Sequence, residues 1–173
     1  ICGKNGGRKG NIPPCHTVLC PFRSTGGKDD DGAFTGMGIN MKIDILSLFP
    51  EFIEAFFRQS MIKRALDAGL IEMAVTDPRE FSHSRHHQVD DTIDGGGAGM
   101  LMQCGPLFEA CESVLPQKGP RDRVVFLSPA GIPFTQDKAK ALYCSYDHLV
   151  LICGHYEGVD HRVEEYLADE LIS

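Results

Sequence analysis

Residues 148–158, His148-Leu149-Val150-Leu151-Ile152-Cys153-Gly154-His155-Tyr156-Glu157-Gly158, run five apolar side chains in succession into a glycine-bounded polar loop. A short unbroken apolar run suits a strand covered on both faces, as in a parallel sheet. Ligands of open α/β sheets sit just beyond the carboxyl ends of such strands. Gly154 and Gly158 therefore stand where a ligand would lie, with Tyr156 and Glu157 adding an aromatic face and a charge. Glycines there let a ligand approach the backbone closely. The same residues also fit an ordinary strand-to-helix turn, because short glycine motifs match by chance.

The rest of the chain after residue 40 continues the alternation that such a strand needs. Residues 42–48 read as a strand, and Pro50 opens a helix through Arg58. A second helix is expected from a Ser60 cap to Ala68, ended by Gly69, with Leu70–Val75 as the next strand. Pro106 opens a helix through Val114, Val124–Leu127 is a strand, and Thr135 caps a helix to about Tyr143. A last helix is expected near Asp160–Tyr166. Strands alternating with helices imply right-handed crossovers, so the fold class is α/β, a parallel sheet flanked by helices.

At 173 residues and 42% hydrophobic content, the chain can bury a core of its own. No apolar run approaches the length of a membrane span, and no leader is recognisable, so a soluble, cytoplasmic protein is expected. The odd count of seven cysteines argues against a secreted disulfide framework. Cys104, Cys111, Cys144 and Cys153 read as reduced core thiols. Residues 1–40 differ, with nine glycines and the Asp29-Asp30-Asp31 run. They read as a disordered or extraneous tail before a domain at 41–173. Cys15, His16 and Cys20 lack a fourth ligand at zinc spacing, so no metal site is expected there.

The segment Asp77–Gly99 is too long and too polar for a simple connection, and such segments are usually functional or disordered. Arg79, His83, Arg85, His86 and His87 cluster in it, followed by Asp90-Asp91 and Gly95-Gly96-Gly97-Ala98-Gly99. Arginine and histidine can contact phosphates and stack on bases, and carboxylates can accept from a guanine edge. A solvated loop is the alternative. His83, His86 and His87 have no acidic or thiol companion at a recognisable metal spacing. The glycine run lacks the lysine of a phosphate-binding P-loop, and no dinucleotide fingerprint follows a strand.

Taken together, the motifs resemble the TrmD family, the bacterial tRNA (guanine-N1-)-methyltransferases. The residues that carry the resemblance, in order, are Ile45-Leu46-Ser47-Leu48-Phe49-Pro50, Pro78-Arg79-Glu80-Phe81, Arg85-His86, Val89-Asp90-Asp91, Gly95-Gly96-Gly97-Ala98-Gly99-Met100, Leu127-Ser128-Pro129 and Gly154-His155-Tyr156-Glu157-Gly158-Val159-Asp160. The resemblance implies a SPOUT-type, trefoil-knotted methyltransferase domain that moves a methyl group from S-adenosylmethionine to N1 of the guanosine 3′ of the anticodon. It also implies a homodimer with shared active sites, and tRNA as partner.

By that resemblance the cofactor loops map to Leu127, Ser128 and Pro129, and to Gly154, Tyr156, Glu157 and Gly158, with a third loop beginning at Ser173. Arg85, His86, Asp90, Asp91, Gly95, Gly96 and Gly97 would face the tRNA. The family's catalytic aspartate and arginine and its second domain would lie beyond Ser173. The chain as given is therefore expected to stop before the knot is completed and to be inactive alone, with Glu157 as a supporting carboxylate. His155 departs from a common arginine, and Ile93-Asp94 from a proline-aromatic pair.

Between residues 41 and 173, 12 Lys and Arg face 21 Asp and Glu, a net of −9. That balance is unusual for a nucleic-acid binder. It leaves open a non-catalytic nucleotide- or cofactor-binding module. A structural oligomerisation domain, resting on the apolar faces of Glu51–Arg58 and Leu107–Val114, is a further reading.

Overall fold

The computed structural model describes residues 41–92 and 99–173, so the expected tail at 1–40 and the glycines Gly95, Gly96 and Gly97 lie outside the described residues. In chain order the elements are β1 (Met41–Leu46), α1 (Pro50–Phe57), α2 (Ser60–Asp67), β2 (Ile71–Thr76), a 3₁₀ turn (Pro78–Phe81), β3 (Asp90–Thr92), β4 (Met100–Met102), α3 (Cys104–Val114), β5 (Asp122–Ile132), α4 (Gln136–Ser145), β6 (His148–Cys153), a π-helical turn (Val163–Leu167) and β7 (Glu170–Ile172). Five strands form one sheet in the order β2-β1-β6-β5-β7, every pair parallel. The expected α/β class and helix-flanked parallel sheet are present.

The apolar run at 149–153 is the middle of that sheet. Alternate side chains of a strand point to opposite faces. Val150 and Ile152, both fully buried, join Val124 and Phe126 of β5 under Leu107, Ala110 and Cys111 of α3. Leu149 and Leu151 point the other way, with Val125, Met41 and Ile172, against Leu142 of α4. A central strand thus has no polar face, which is why the sequence shows no alternation there. Each such burial stabilises the fold by about 1.5–3 kcal/mol.

Several boundaries differ from the sequence reading, each for a local reason. Helix α3 starts at Cys104, placing Pro106 inside the first turn, where a missing N–H costs nothing. Helix α2 includes Ser60, at φ 44°, and its N-cap is Gln59 with no side-chain hydrogen bond, so the expected serine cap is absent. Gly69, at φ 64°, ends α2 as expected. Thr135 does cap α4, its hydroxyl accepting the Lys138 N–H at 3.2 Å. The final helix is one widened turn. Cys104, Cys111 and Cys153 are free thiols, whereas Cys144, half-buried near the outer end of α4, is disulfide-bonded, which corrects the reduced-thiol expectation at that position.

Strand β7 has no counterpart in the sequence reading. It exists because Asp169, far along the chain, clasps β5: its carboxylate accepts the Val124 N–H at 2.8 Å, and its own N–H donates to the Val124 carbonyl at 2.9 Å. Pairing with β7 then forces a departure in β5. Leu127 and Ile132 both pair with Ile172, so the residues between them are thrown out of register. Pro129, without an N–H to offer a neighbouring strand, suits that excursion. Gly131 is needed where β5 returns, since a Cβ there would stand 2.5 Å from the Ile172 nitrogen.

Candidate functional site

The excursion of β5 and the loop after β6 leave the same edge of the sheet side by side. Between them lies a cavity of about 430 Å³ lined by Phe126, Leu127, Ser128, Pro129, Ala130, the run Gly154–Val159 and Glu164. Seven of the residues expected to hold a cofactor (Leu127, Ser128, Pro129, Gly154, Tyr156, Glu157 and Gly158) therefore line one space. Ser173 does not. It borders an adjoining, almost wholly apolar hollow of about 650 Å³, walled by Ile43, Val125, Leu149 and Leu151 and sharing Leu127, Ser128 and Pro129 with the first. The larger hollow offers little to orient a polar ligand, whereas the smaller one carries the Ser128 hydroxyl and the Glu157 and Glu164 carboxylates.

Its polar groups have identifiable anchors. The Ser128 hydroxyl accepts the Ala130 N–H at 3.3 Å and donates to Glu164 Oε1 at 3.4 Å. Glu164 comes from the π-helical turn and was not singled out from the sequence. No spacing signal marks it, because only the return of the chain to β7 brings that turn beside β5. Asp160 starts the turn: it accepts the Arg162 N–H at 2.9 Å, and its carboxyl is pulled from 3.8 to about 2, chiefly by hydrogen bonding to the Arg162 side chain.

Tyr156 is held at φ 60°, a region that bulky side chains rarely occupy, and its ring is 40% exposed. Such strain persists where surrounding structure demands it and is frequent at functional sites. The His155 ring lies 4.8 Å from that of Tyr156 and meets Phe49, the residue before α1, edge-on at 5.0 Å. Arg79 sits 5.9 Å over the Phe49 ring. Phe49 was missed as a site residue. Only the adjacency of β1 and β6 places it at this edge.

The residues expected to face tRNA form a second group. Arg85 and His86 are exposed, Asp91 is exposed and Asp90 half-buried, and none of them lines the cavity. What the sequence reads as one long connection contains regular elements. Asp77 caps the 3₁₀ turn by accepting the Arg79 N–H at 2.9 Å, and β3 pairs antiparallel with β4. Strand β4 then bonds to the cavity loop: Met102 donates to the Gly158 carbonyl at 3.0 Å, and Asp160 donates to the Met102 carbonyl at 3.0 Å. Strands β3 and β4 thus link Asp90 and Asp91 to the cavity loop.

Among the described residues, no group of three or more His, Cys, Asp or Glu side chains is placed to hold a metal ion, and no helix is long and apolar enough to cross a membrane. Of the two apolar helix faces noted in the sequence, that of Leu107–Val114 packs into the core through Leu107, Ala110 and Cys111. That of α1 instead leaves Phe52 65% and Phe56 50% exposed.

Comparison with known proteins places this arrangement. The chain is 49% identical over 133 residues to a tRNA (guanine-N(1)-)-methyltransferase of Dehalococcoides mccartyi, a match covering 77% of this chain and 53% of that protein. It is 47% identical over 131 residues to the enzyme of the same name from Latilactobacillus sakei, covering 76% of this chain and 53% of the relative. The chain thus spans about half the length of the curated relatives it matches. The crystal structure of tRNA (m1G37) methyltransferase from Aquifex aeolicus superposes with a TM-score of 0.68 at 32% identity, covering 77% of this chain and 59% of that one. That likeness agrees with the SPOUT-type domain expected from the motifs. The family model described as tRNA (Guanine-1)-methyltransferase TrmD matches residues 41–173, and the chain belongs to that family.

Proposed function

We propose that this protein binds S-adenosylmethionine in the cavity between the β5 excursion and the Gly154–Gly158 loop, and that it serves methyl transfer to N1 of the guanosine 3′ of the anticodon in tRNA. The observation that carries the reading is the convergence of both expected cofactor loops on one cavity of about 430 Å³, within the usual size range of small-ligand sites. The donor set fits the group. Glu164 is an acceptor for hydroxyls and favours a cationic ligand, Tyr156 offers a ring face, and the glycines admit a ligand to the backbone. The cofactor would supply an electrophilic methyl carbon, and the residues around it would orient that carbon and exclude water.

The tRNA would lie across β3, β4 and the exposed segment bearing Arg85, His86, Asp90 and Asp91. With the folded part at −9, attraction to phosphates has to be local, and Arg79 and Arg85 lie on this side. The homodimer and cytoplasmic location implied by the family are part of the same reading. The exposed Phe52, Phe56, Met61 and Ile62 of α1 and α2, helices without a buried residue, supply apolar surface for a second copy.

Calorimetric titration of the intact protein with S-adenosylmethionine, followed by transfer of labelled methyl to tRNAs carrying G or A 3′ of the anticodon, tests the proposal. Saturable binding and G-dependent labelling are expected. Binding without transfer would instead support the non-catalytic cofactor-binding module, and absence of both would refute the assignment.

A further inference from the structure

Glu157 lines the cavity, yet its carboxylate is engaged elsewhere. Oε2 accepts the Met100 N–H at 2.7 Å, and the Glu157 N–H donates back to the Met100 carbonyl at 3.2 Å. These two bonds extend the ladder begun by Met102 with Gly158 and Asp160, so the side chain forms its last rung. The carboxylate also lies flat against Gly99. That residue adopts φ 131°, and a Cβ on it would stand 2.8 Å from both Glu157 Cγ and Cδ. Met100 opens β4, whose antiparallel partner β3 carries Asp90 and Asp91. One side chain thus ties the cavity wall to the segment on which the second substrate would rest.

We propose that Glu157 is a positioning residue that acts through β4, latching the paired strands β3 and β4 to the loop after β6, and is neither the base nor the charge partner of a ligand. A charge-assisted bond to a backbone N–H is among the stronger hydrogen bonds. It spans the point where the backbone ladder ends. Losing it frees Met100 while the bonds at Met102 persist, so the Thr92–Met100 end of the paired strands shifts, and misplacement of a substrate by an ångström is costly to rate. The cavity itself keeps its walls. The kinetic part of this inference rests on the proposed function, and the structural part does not.

The test compares Glu157→Gln, Glu157→Ala and Gly99→Ala in the intact protein. Glutamine keeps an oxygen able to accept the Met100 N–H but has no charge and no basicity. Alanine removes the acceptor, and Gly99→Ala keeps the carboxylate but displaces it. Amide hydrogen exchange at Met100, with Val150 as an internal reference for global folding, should quicken about 10-fold or more in Glu157→Ala and Gly99→Ala and stay near the wild-type rate in Glu157→Gln. In methyl transfer, kcat/KM for tRNA should fall about 10- to 100-fold in the first two, with S-adenosylmethionine affinity little changed. Glu157→Gln should retain activity within a few fold and the wild-type pH profile. Glutamine as damaging as alanine, with one limb of the pH profile lost, would make Glu157 the base and overturn the proposal. So would a loss of cofactor affinity in Glu157→Gln, or Met100 exchange unaltered in Glu157→Ala. If the wild-type protein transfers no methyl group, the functional reading fails, and the exchange rates still decide whether the latch exists.

Discussion

A side chain at Gly154 is the most direct probe of the cavity wall. An ideal Cβ at this position would stand 3.0 Å from Val159 Cγ2 and 3.2 Å from Phe126 Cε2. Both separations are inside the roughly 3.5–4.0 Å optimum for carbon pairs. Phe126 is only 5% exposed and packed under α3, so it cannot swing clear. Overpacking a core costs about 1–3 kcal/mol, and one methyl with two short contacts belongs at the lower end. Gly154→Ala should therefore destabilise the fold by about 1 kcal/mol, and Gly154→Val by about 3 kcal/mol. In a domain of this size, 1 kcal/mol corresponds to roughly 4 °C in Tm. The added carbon aims into the packed wall rather than into open space, so cofactor affinity should fall because the loop bearing Gly154 and the half-buried Val159 have to shift away from Phe126. Thermal unfolding and calorimetric titration with S-adenosylmethionine, run on both variants, measure the two effects. A valine variant with unchanged Tm and unchanged affinity would refute the packing argument and the cavity assignment together.

Asp44→Ala should destabilise the protein by about 3 kcal/mol in urea denaturation, since it strips a buried carboxylate that accepts from His148 Nε2 at 2.7 Å and pairs with Lys42 Nζ at 2.8 Å. Cofactor affinity should survive, because this pair sits toward the strand beginnings, away from the cavity. Asp160 titrates in the folded state at about 2, below its ordinary 3.8. Its contribution to stability is therefore complete above that ordinary value and lost as pH falls toward 2, so the stability gap between wild type and Asp160→Asn should shrink between pH 5 and pH 2.5. Alanine at Arg85, His86 or Asp90 should raise the KM for tRNA or lower turnover while cofactor affinity holds. Filter binding with single-turnover kinetics separates these, and a parallel loss of cofactor binding would sink the division into two surfaces.

Local chemistry alone was enough to identify the buried strand, the glycine loop after it, the Thr135 cap and the Gly69 stop, because a run of apolar residues, a hydroxyl before a helix and a positive φ each depend on near neighbours. The family motifs, being short ordered strings, were legible for the same reason. The cavity was readable only as two separate loops. Their meeting depends on β5 and β6 lying adjacent, which arises from pairings between residues far apart in sequence. Glu164, Phe49 and strand β7 left no local mark. Glu164 is beside Ser128 because Asp169 clasps Val124, Phe49 is beside His155 because β1 pairs with β6, and the outward turn at Pro129 exists because Leu127 and Ile132 share one partner in β7. Glu157 shows the division most plainly. Its sequence position marks it as a loop carboxylate facing a ligand, and tertiary structure decides that its oxygen is bonded to Met100 instead, because parallel pairing carries β4 within reach of its backbone and leaves one N–H for the side chain to satisfy.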